Sequence, residues 1–372
     1  MTAPKRIGIL TGGGDCPGLN AVIRAVVRVS TELGWEIYGF HDGYEGLLEP
    51  DGHTILDRRK TSGIMQLGGT ILGTTNRGRF ASKVGHGEKA KIPTEILETA
   101  KKTLKQLQID ALICVGGDGS LATAQQLFEA GVPVVGVPKT IDNDISATAT
   151  SFGFDSACAC VADSLDRLHT TARSHRRVMV VETMGRYAGW IALHGGLAGG
   201  ADIILIPEIP FHYDYVARAV QRRMSAGFRS TMIVVAEGAT PKGQDYVTLK
   251  DLPKAGEKRL GGISLMVAEE IAKRVHWETR AVVLAHLQRG GNPTALDRIL
   301  GTRFGVAAVE LIYQQKFGHM VSYQGYQIGS VSIAEAINHP KLVSPTGQVV
   351  QGAKLMGISF GDEDVLPEMI GQ

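Results

Sequence analysis

Residues 109–120 read Ile109-Asp110-Ala111-Leu112-Ile113-Cys114-Val115-Gly116-Gly117-Asp118-Gly119-Ser120. The apolar run Ile109–Val115 has the composition of a strand buried on both faces, and it stops at glycines just ahead of a helical pattern over Leu121–Ala130. The same order occurs twice more. Arg6–Thr11 reads as a strand ending in Gly12-Gly13-Gly14-Asp15, with a helix from about Pro17 to Leu33. Val132–Val137 ends in Pro138-Lys139-Thr140-Ile141-Asp142-Asn143-Asp144. Strand-like runs recur at Val178–Glu182, Ile203–Pro207, Thr231–Ala236 and Ala281–Leu284. Apolar strands alternating with helices predict an α/β chain with mostly parallel sheets covered on both faces.

With 372 residues the chain has room for two packed domains. A hydrophobic share of 44% with 20% charged residues is that of a globular chain and argues against disorder. The 47 glycines imply many tight turns or close backbone–ligand approaches. A net charge of +2 points to neither nucleic acid nor an anionic membrane as partner. Apolar runs such as Ala111–Val115 and Ile203–Ile206 are too short to span a bilayer. The segment from Met1 to Arg6 has no signal-peptide pattern, and Cys16, Cys114, Cys158 and Cys160 lack zinc spacing and disulfide density. A reduced, cytoplasmic location is expected. Cys158 and Cys160 fall on different sides of a helix and read as small core residues. Segments 82–91 and 238–262 are polar and read as loops, and no 20–50-residue repeat is present.

Parallel sheets bind ligands at the carboxyl ends of their strands. Glycine turns opening onto helix N-termini offer N–H groups and a positive dipole end to an anion, as Gly12–Gly14 and Gly116–Gly119 do; the plainer alternative is a tight βα turn and nothing more. The dinucleotide fingerprint is incomplete, because position 17 is proline and no acidic residue follows at the usual distance. A Walker A loop is excluded, since the chain has no Gly-Lys dipeptide. A carboxylate inside a phosphate loop makes sense beside a cation, so Asp118 reads as a Mg²⁺ holder. Asp142 reads as general base on an attacking hydroxyl, with Asp144 orienting it or sharing the metal; the alternative is that Asp142 and Asn143 cap a turn. Arg77, Arg177, Arg186, Arg280, His286 and Arg289 stand at strand or loop ends, where arginine suits phosphate.

Together, Thr11-Gly12-Gly13-Gly14-Asp15, Gly116-Gly117-Asp118-Gly119-Ser120, Thr140-Ile141-Asp142-Asn143-Asp144, Met184-Gly185-Arg186 and His286-Leu287-Gln288-Arg289-Gly290-Gly291 resemble the ordered motifs of the 6-phosphofructokinases over residues 6–310. The resemblance implies two Rossmann-like domains with the active site between them. Residues 1–153 with about 288–338 would form the nucleotide domain. Residues from about 154 to 287 with the C-terminal segment would form the sugar-phosphate domain. It implies phosphoryl transfer from ATP to the 1-hydroxyl of fructose 6-phosphate, with Mg²⁺ at Asp118 and Asp142 as base. Gly13 would donate its N–H to the moving phosphoryl group, and Arg77 and Arg186 would balance its charge. Gly117, Asp118, Gly119 and Ser120 would hold ATP phosphates. Thr140, Asp142, Asp144, Met184, Gly185, Arg186, Glu237, His286 and Arg289 would contact the sugar phosphate. Arg177 and Arg280 resemble arginines that reach in from a neighbouring subunit, implying a homo-oligomer, a tetramer in this family, with shared active sites.

Donor choice is mixed. Gly at position 119 goes with ATP in this family, whereas Lys139 is typical of the pyrophosphate enzymes; a pyrophosphate donor is the alternative reading. Lys139 adds a cation near the phosphates, or else points to solvent or pairs locally. Arg24 and Arg28, with Arg58 as a third, resemble effector-site arginines and equally fit a solvated helix face. Arg229 beside Phe228, and Asp202, stand where such relatives carry a fuller basic cluster and a Glu. Three rivals remain: a kinase of NAD or lipids, a non-catalytic sugar-phosphate-binding subunit, and a nicotinamide oxidoreductase. The separate Thr140-Ile141-Asp142-Asn143-Asp144 and Met184-Gly185-Arg186 motifs weigh against the first, intact Asp118, Asp142 and Arg186 against the second, and the incomplete dinucleotide fingerprint against the third.

Overall fold

The computed structural model describes residues 6–75, 78–80, 91–244 and 261–363. The chain divides into two compact units. The first takes the described residues of Met1–Ile141, Ile145–Ser156 and Arg289–Pro340, the second those of Asp142–Asp144, Ala157–Gln288 and Lys341–Gln372.

In the first unit, β1 (Arg6–Thr11), α1 (Leu19–Glu32), β2 (Glu36–Phe40), β3 (His53–Leu56), α2 (Thr94–Gln106), β4 (Ala111–Gly116), α3 (Asp118–Glu129) and β5 (Val134–Pro138) come first. The chain enters α4 (Phe154–His175), which continues into the second unit. There follow β6 (Val178–Thr183), α5 (Trp190–Ala198), β7 (Ile203–Leu205), α6 (Tyr213–Ser225), β8 (Thr231–Ala236), α7 (Ile263–Ala272) and β9 (Thr279–Val283). The first unit resumes with α8 (Ala295–Tyr313), β10 (His319–Gln324), β11 (Gln327–Ser332) and α9 (Ile333–Ala336); α10 (Gln348–Leu355) belongs to the second.

The first sheet has the order β11-β10-β5-β4-β1-β2-β3. Its centre is parallel, with Leu10 opposite Cys114 and Val115 opposite Val137, while β3 and β11 run antiparallel at the two edges. β1 lies between β4 and β2, so the chain order reverses at the β1–β4 step. That step is the crevice where open sheets take ligands. The second sheet, β7-β8-β6-β9, is parallel throughout. Strands β4, β5, β6 and β8 are buried along their whole length, as sheets covered on both faces require.

Two glycines of α8 set the depth of α1. A β-carbon on Gly301 would stand 2.9 Å from the Gly18 carbonyl oxygen, and one on Gly305 would stand 2.7 Å from that of Val22. This close approach fixes the helix that follows the first glycine turn. The sequence reading placed the start of α3 at Leu121, but the helix begins at Asp118, so the turn Asp118-Gly119-Ser120 is its first turn. Asp and Ser are favoured at helix starts, and the acidic side chain suits the positive end of the dipole. Cys158 is buried, Cys160 is half-buried, and all four cysteines are free. Among the described residues no helix is long and apolar enough to cross a membrane.

Candidate active site

In the first unit both glycine turns flank the switch point. Gly12 donates its N–H to the Val115 carbonyl at 2.9 Å, tying the end of β1 to the end of β4. A β-carbon on Gly12 would meet Ser120 Oγ at 2.8 Å, and one on Gly116 would meet Ser120 Cβ at 2.2 Å. The two turns therefore approach closely because neither glycine carries a side chain. Gly13 has φ of 79°, and its N–H reaches the Thr75 carbonyl at 3.3 Å, a weak bond that a phosphate oxygen would outcompete. Gly117, the residue capping α3, has extended geometry and no side chain to occupy the helix's leading N–H groups. Tyr44, which sequence reasoning did not single out, donates its hydroxyl to the Ser120 carbonyl at 2.7 Å and braces this turn.

Lys139 is 4% exposed, and its Nζ donates to the Gly14 carbonyl. It does not point to solvent; it lies under the first glycine turn. Its own N–H donates to the Gly116 carbonyl at 2.9 Å, while Ser151 Oγ donates to the Thr140 carbonyl at 2.8 Å. Arg289 lies against Gly14, where an added β-carbon would meet its Nη1 at 2.6 Å, and it donates to the Asp15 carbonyl at 3.0 Å. Arg77 lies outside the described residues. Segment 82–90 and the stretch 245–260 of the longer loop do too.

In the second unit, parallel β6, β8 and β9 bring their carboxyl ends to one edge. Met184-Gly185-Arg186 follows β6, Glu237-Gly238 follows β8, and His286 lies exposed in a 3₁₀ turn, Ala285–Arg289, after β9. Glu237 donates its N–H to the Thr183 carbonyl at 2.9 Å, and Gly238 donates to that of Gly185 at 3.1 Å. Gly185 has φ of 132°, open to glycine. Gln288 is 1% exposed and accepts from Met184 N at 3.3 Å while donating to the Ala285 carbonyl at 3.1 Å, so one amide ties the Met184 turn to the His286 turn.

Burial pushes the Glu237 carboxyl up to about 7, helped by the negative charges of Asp142 and Glu182 and opposed by Arg186 and a backbone N–H bond. Asp142, Glu237 and Arg186 thus share one electrostatic environment. Glu182, 3% exposed, accepts from Gly262 N at 3.1 Å, Ser264 N at 3.0 Å and Ser264 Oγ at 2.8 Å, and anchors the start of α7 at this edge.

Asn143 between the two aspartates has φ of 52° and is 5% exposed. Lys341 donates from Nζ to Asn143 Oδ1 at 2.9 Å and from its backbone N to the Asp144 carbonyl at 2.8 Å. Burial holds the Lys341 ammonium down at about 8. Neither Lys341 nor Glu182 was visible as a site residue in the sequence.

Arg177 and Arg280 lie at the other end of this sheet. They precede or begin β6 and β9, and both pair with Glu278, Arg177 at 2.6 Å. A five-residue rise of ~17 Å separates them from the edge bearing Met184 and Glu237. The effector candidates lie on or beside α1. Arg24 is half-buried on α1, Arg28 is exposed, and Arg58 pairs with Glu32. A cavity of about 370 Å³ on the second unit gathers His169, Arg173, Asp202, Arg223 and Arg229, of which the sequence reading had only Asp202 and Arg229. Asp202 pairs with Arg223 at 2.9 Å, and Arg223 lies 4.2 Å over the Phe228 ring.

Among the described residues, no three His, Cys, Asp or Glu side chains form a cluster able to hold a metal by themselves. Asp118 at the start of α3 is the kind of single carboxylate that Mg²⁺ takes together with substrate phosphate oxygens.

The phosphofructokinase family profile matches residues 6–312. An ATP-dependent 6-phosphofructokinase of Chloroflexus aurantiacus is 49% identical over 359 residues, 96% of this chain and 98% of that one. A pyrophosphate–fructose 6-phosphate 1-phosphotransferase of Amycolatopsis methanolica is 48% identical over 343 residues, 91% of this chain and 96% of that one. The solved phosphofructokinase of Saccharomyces cerevisiae superposes with a TM-score of 0.77 at 30% identity, over 98% of this chain and 49% of that chain.

Proposed function

The chain belongs to the phosphofructokinase family, and we propose that it transfers the γ-phosphoryl group of ATP to the 1-hydroxyl of fructose 6-phosphate, giving fructose 1,6-bisphosphate and ADP. One observation carries the reaction class: two glycine turns flank the switch point of the first sheet, and Asp118 stands in the first turn of the helix that one of them opens. That arrangement suits a polyphosphate held by backbone N–H groups and a cation.

Phosphoryl transfer needs positioning and charge stabilisation more than covalent chemistry. The Asp142 carboxylate takes the proton of the 1-hydroxyl as its oxygen bonds to the γ-phosphorus and the bond to the β-phosphate oxygen breaks. Arg186 and Arg77 offset the charge on the phosphoryl oxygens, and Gly13 gives up its weak bond to Thr75 to donate to one of them. Asp118 would hold Mg²⁺, which neutralises charge on the phosphates when bound. Gly117, Gly119 and Ser120 take the remaining phosphate oxygens, with Lys139 adding charge from beneath Gly14. Met184, Glu237, His286 and Arg289 orient the sugar phosphate, and Thr140, Asp144 and Gly185 are further contacts to it. The first unit serves the nucleotide, the second the sugar phosphate.

Arg177 and Arg280 lie a strand length from their own chain's edge, which supports their serving a neighbouring subunit in a homo-oligomer, a tetramer by family likeness. The basic cavity around Arg173, Arg223 and Arg229 supports binding of a phosphorylated effector, and Arg24, Arg28 and Arg58 on the first unit are separate effector candidates by family likeness. Four free cysteines support a reducing, cytoplasmic location.

The test is the initial rate of fructose 1,6-bisphosphate formation with Mg²⁺ and either ATP or pyrophosphate. Turnover with ATP alone is expected. Turnover with pyrophosphate alone overturns the donor, and none with either overturns the activity. Asp142→Asn is expected to lower kcat by about 10²–10⁴-fold with fructose 6-phosphate still bound.

A further inference from the structure

We propose that Lys341 is a positioning residue for Asp142: it clamps the Asp142-Asn143-Asp144 turn by holding the Asn143 side chain and the Asp144 carbonyl at once. The inference rests on the reading of Asp142 as the base. The turn is a place where the backbone needs holding. Asn143, in the left-handed region at φ 52°, reverses the chain between two carboxylates that must project in set directions. Lys341 meets that turn twice, through Nζ to Asn143 Oδ1 at 2.9 Å and through its N–H to the Asp144 carbonyl at 2.8 Å.

Lys341 is itself fixed from the far side. Trp190 Nε1 donates to the Lys341 carbonyl at 2.8 Å, and the ammonium sits 5.7 Å from the centre of the Trp190 ring. Two residues on, Val343 N donates to Glu208 Oε1 at 2.8 Å, and Glu208 also accepts from Gly189 N at 3.0 Å, just ahead of Trp190 at the start of α5. The segment Lys341–Val343 is therefore pinned to α5, and the turn is pinned to the segment. The titratable groups facing the ammonium are Asp144, which favours it, and His194, whose ring is tilted against Trp190 with ring centres 5.8 Å apart. Lys341 is assigned no part in the bond changes. Its effect passes through the placement of Asp142, and displacing a reacting group by about 1 Å can cost about 10²-fold in rate.

The experiment measures kcat and fructose 6-phosphate KM for Lys341→Met, Lys341→Arg, Asn143→Gly and the double variant Lys341→Met/Asn143→Gly, beside Asp142→Asn. Asn143→Gly keeps the backbone conformation open while removing the group that Lys341 holds. Lys341→Met and Asn143→Gly are each expected to lower kcat about 10–100-fold with KM changed less than about threefold. The double variant is expected to be no slower than Lys341→Met, since both remove one contact. Lys341→Arg, which keeps the donor and the cation over Trp190, is expected to regain most of the rate. Multiplying losses in the double variant, a raised KM with unchanged kcat, or Lys341→Met within twofold of the parent overturns the proposal. If Lys341→Met loses its cooperative thermal transition, Asn143→Gly decides by the same kcat and KM criterion. Should Asp142→Asn retain its rate, the failure lies in the base assignment and not in the clamp.

Discussion

Gly238→Ala isolates the geometry of the substrate edge from its chemistry. Gly238 follows Glu237 at the end of β8, and its φ is not in the left-handed region, so alanine meets no backbone obstacle. The obstacle is the facing turn. A β-carbon at 238 would lie 2.0 Å from the Arg186 carbonyl oxygen and 2.7 Å from its carbon, where ordinary contact starts near 3.4 Å. Either the Met184-Gly185-Arg186 turn or the Glu237 turn must shift by about 1.4 Å. The Gly238 N–H bond to the Gly185 carbonyl stretches with it. Relief by side-chain rotation is closed, because both atoms struck belong to the backbone. A shift of this size in the groups that hold the acceptor is expected to lower kcat/KM by about 10²-fold. Overpacking at the same spot costs about 1–3 kcal/mol of stability. The assay is steady-state kinetics with ATP and fructose 6-phosphate beside a thermal melt. Gly352→Ala on α10 is the control, since a β-carbon there meets nothing within 4 Å and helix propensity favours it. Parental kcat/KM in a folded Gly238→Ala would refute the reasoning, because the close approach would then place nothing that matters.

Three further outcomes follow from the same geometry. Glu237, raised to about 7 from an ordinary 4.5, keeps its full stability contribution below the unfolded value and loses it as pH climbs through about 7. Thermal melts between pH 5 and 8 should therefore show the parent falling relative to Glu237→Gln, by up to about 3 kcal/mol, and parallel curves would contradict the buried-carboxylate account. Gly119→Asp puts a carboxylate into the first turn of α3; at ~5 Å from a phosphate charge and an effective dielectric of ~20 it costs about 3 kcal/mol, or about 10²-fold in ATP KM, and an unchanged KM would remove residue 119 from the donor site. Mixed oligomers of Asp142→Asn and Arg280→Ala subunits should regain activity that neither parent has, whereas no recovery on mixing would mean that Arg280 serves its own chain.

The strands that decide the fold were legible because each is a short run rich in Ile, Leu and Val that ends at a turn motif. Arg6–Thr11 and Thr231–Ala236 have in the structure the bounds that the sequence suggests. The outer strands β2, β10 and β11 of the first sheet were not. Glu36–Phe40 is interrupted by Gly39, which is glycine because a β-carbon there would strike Leu72 at 2.5 Å, and that reason exists only in three dimensions. Gln327–Ser332 at the sheet's edge and His319–Gln324 beside it carry too few apolar residues to register. Site residues within strand-end motifs could be found from local sequence. Those acting at long range could not. Lys341 stands 198 residues from Asn143, Gln288 reads as one more residue of a motif, and Glu182 reads as the end of a strand until its four hydrogen bonds are seen.

Overall identity leaves the donor open, since 49% and 48% separate relatives that use different phosphoryl donors. The two glycine turns at the switch point of the first sheet suit the phosphates of either donor. ATP and pyrophosphate have the transferred phosphoryl group and its immediate neighbour in common, and they differ only beyond that. Lys139 is buried beneath Gly14 and spends its hydrogen bond on a backbone carbonyl, so its charge acts from below on phosphates that either donor presents. Residue 119 is the second residue of α3, and in the proposed function the donor beyond the shared phosphates passes beside it. A glycine there leaves the passage open and adds no negative charge, whereas a carboxylate would do the opposite on both counts. On the proposed reading Gly119 and not Lys139 governs the choice of donor, and the Gly119→Asp variant is the test of it.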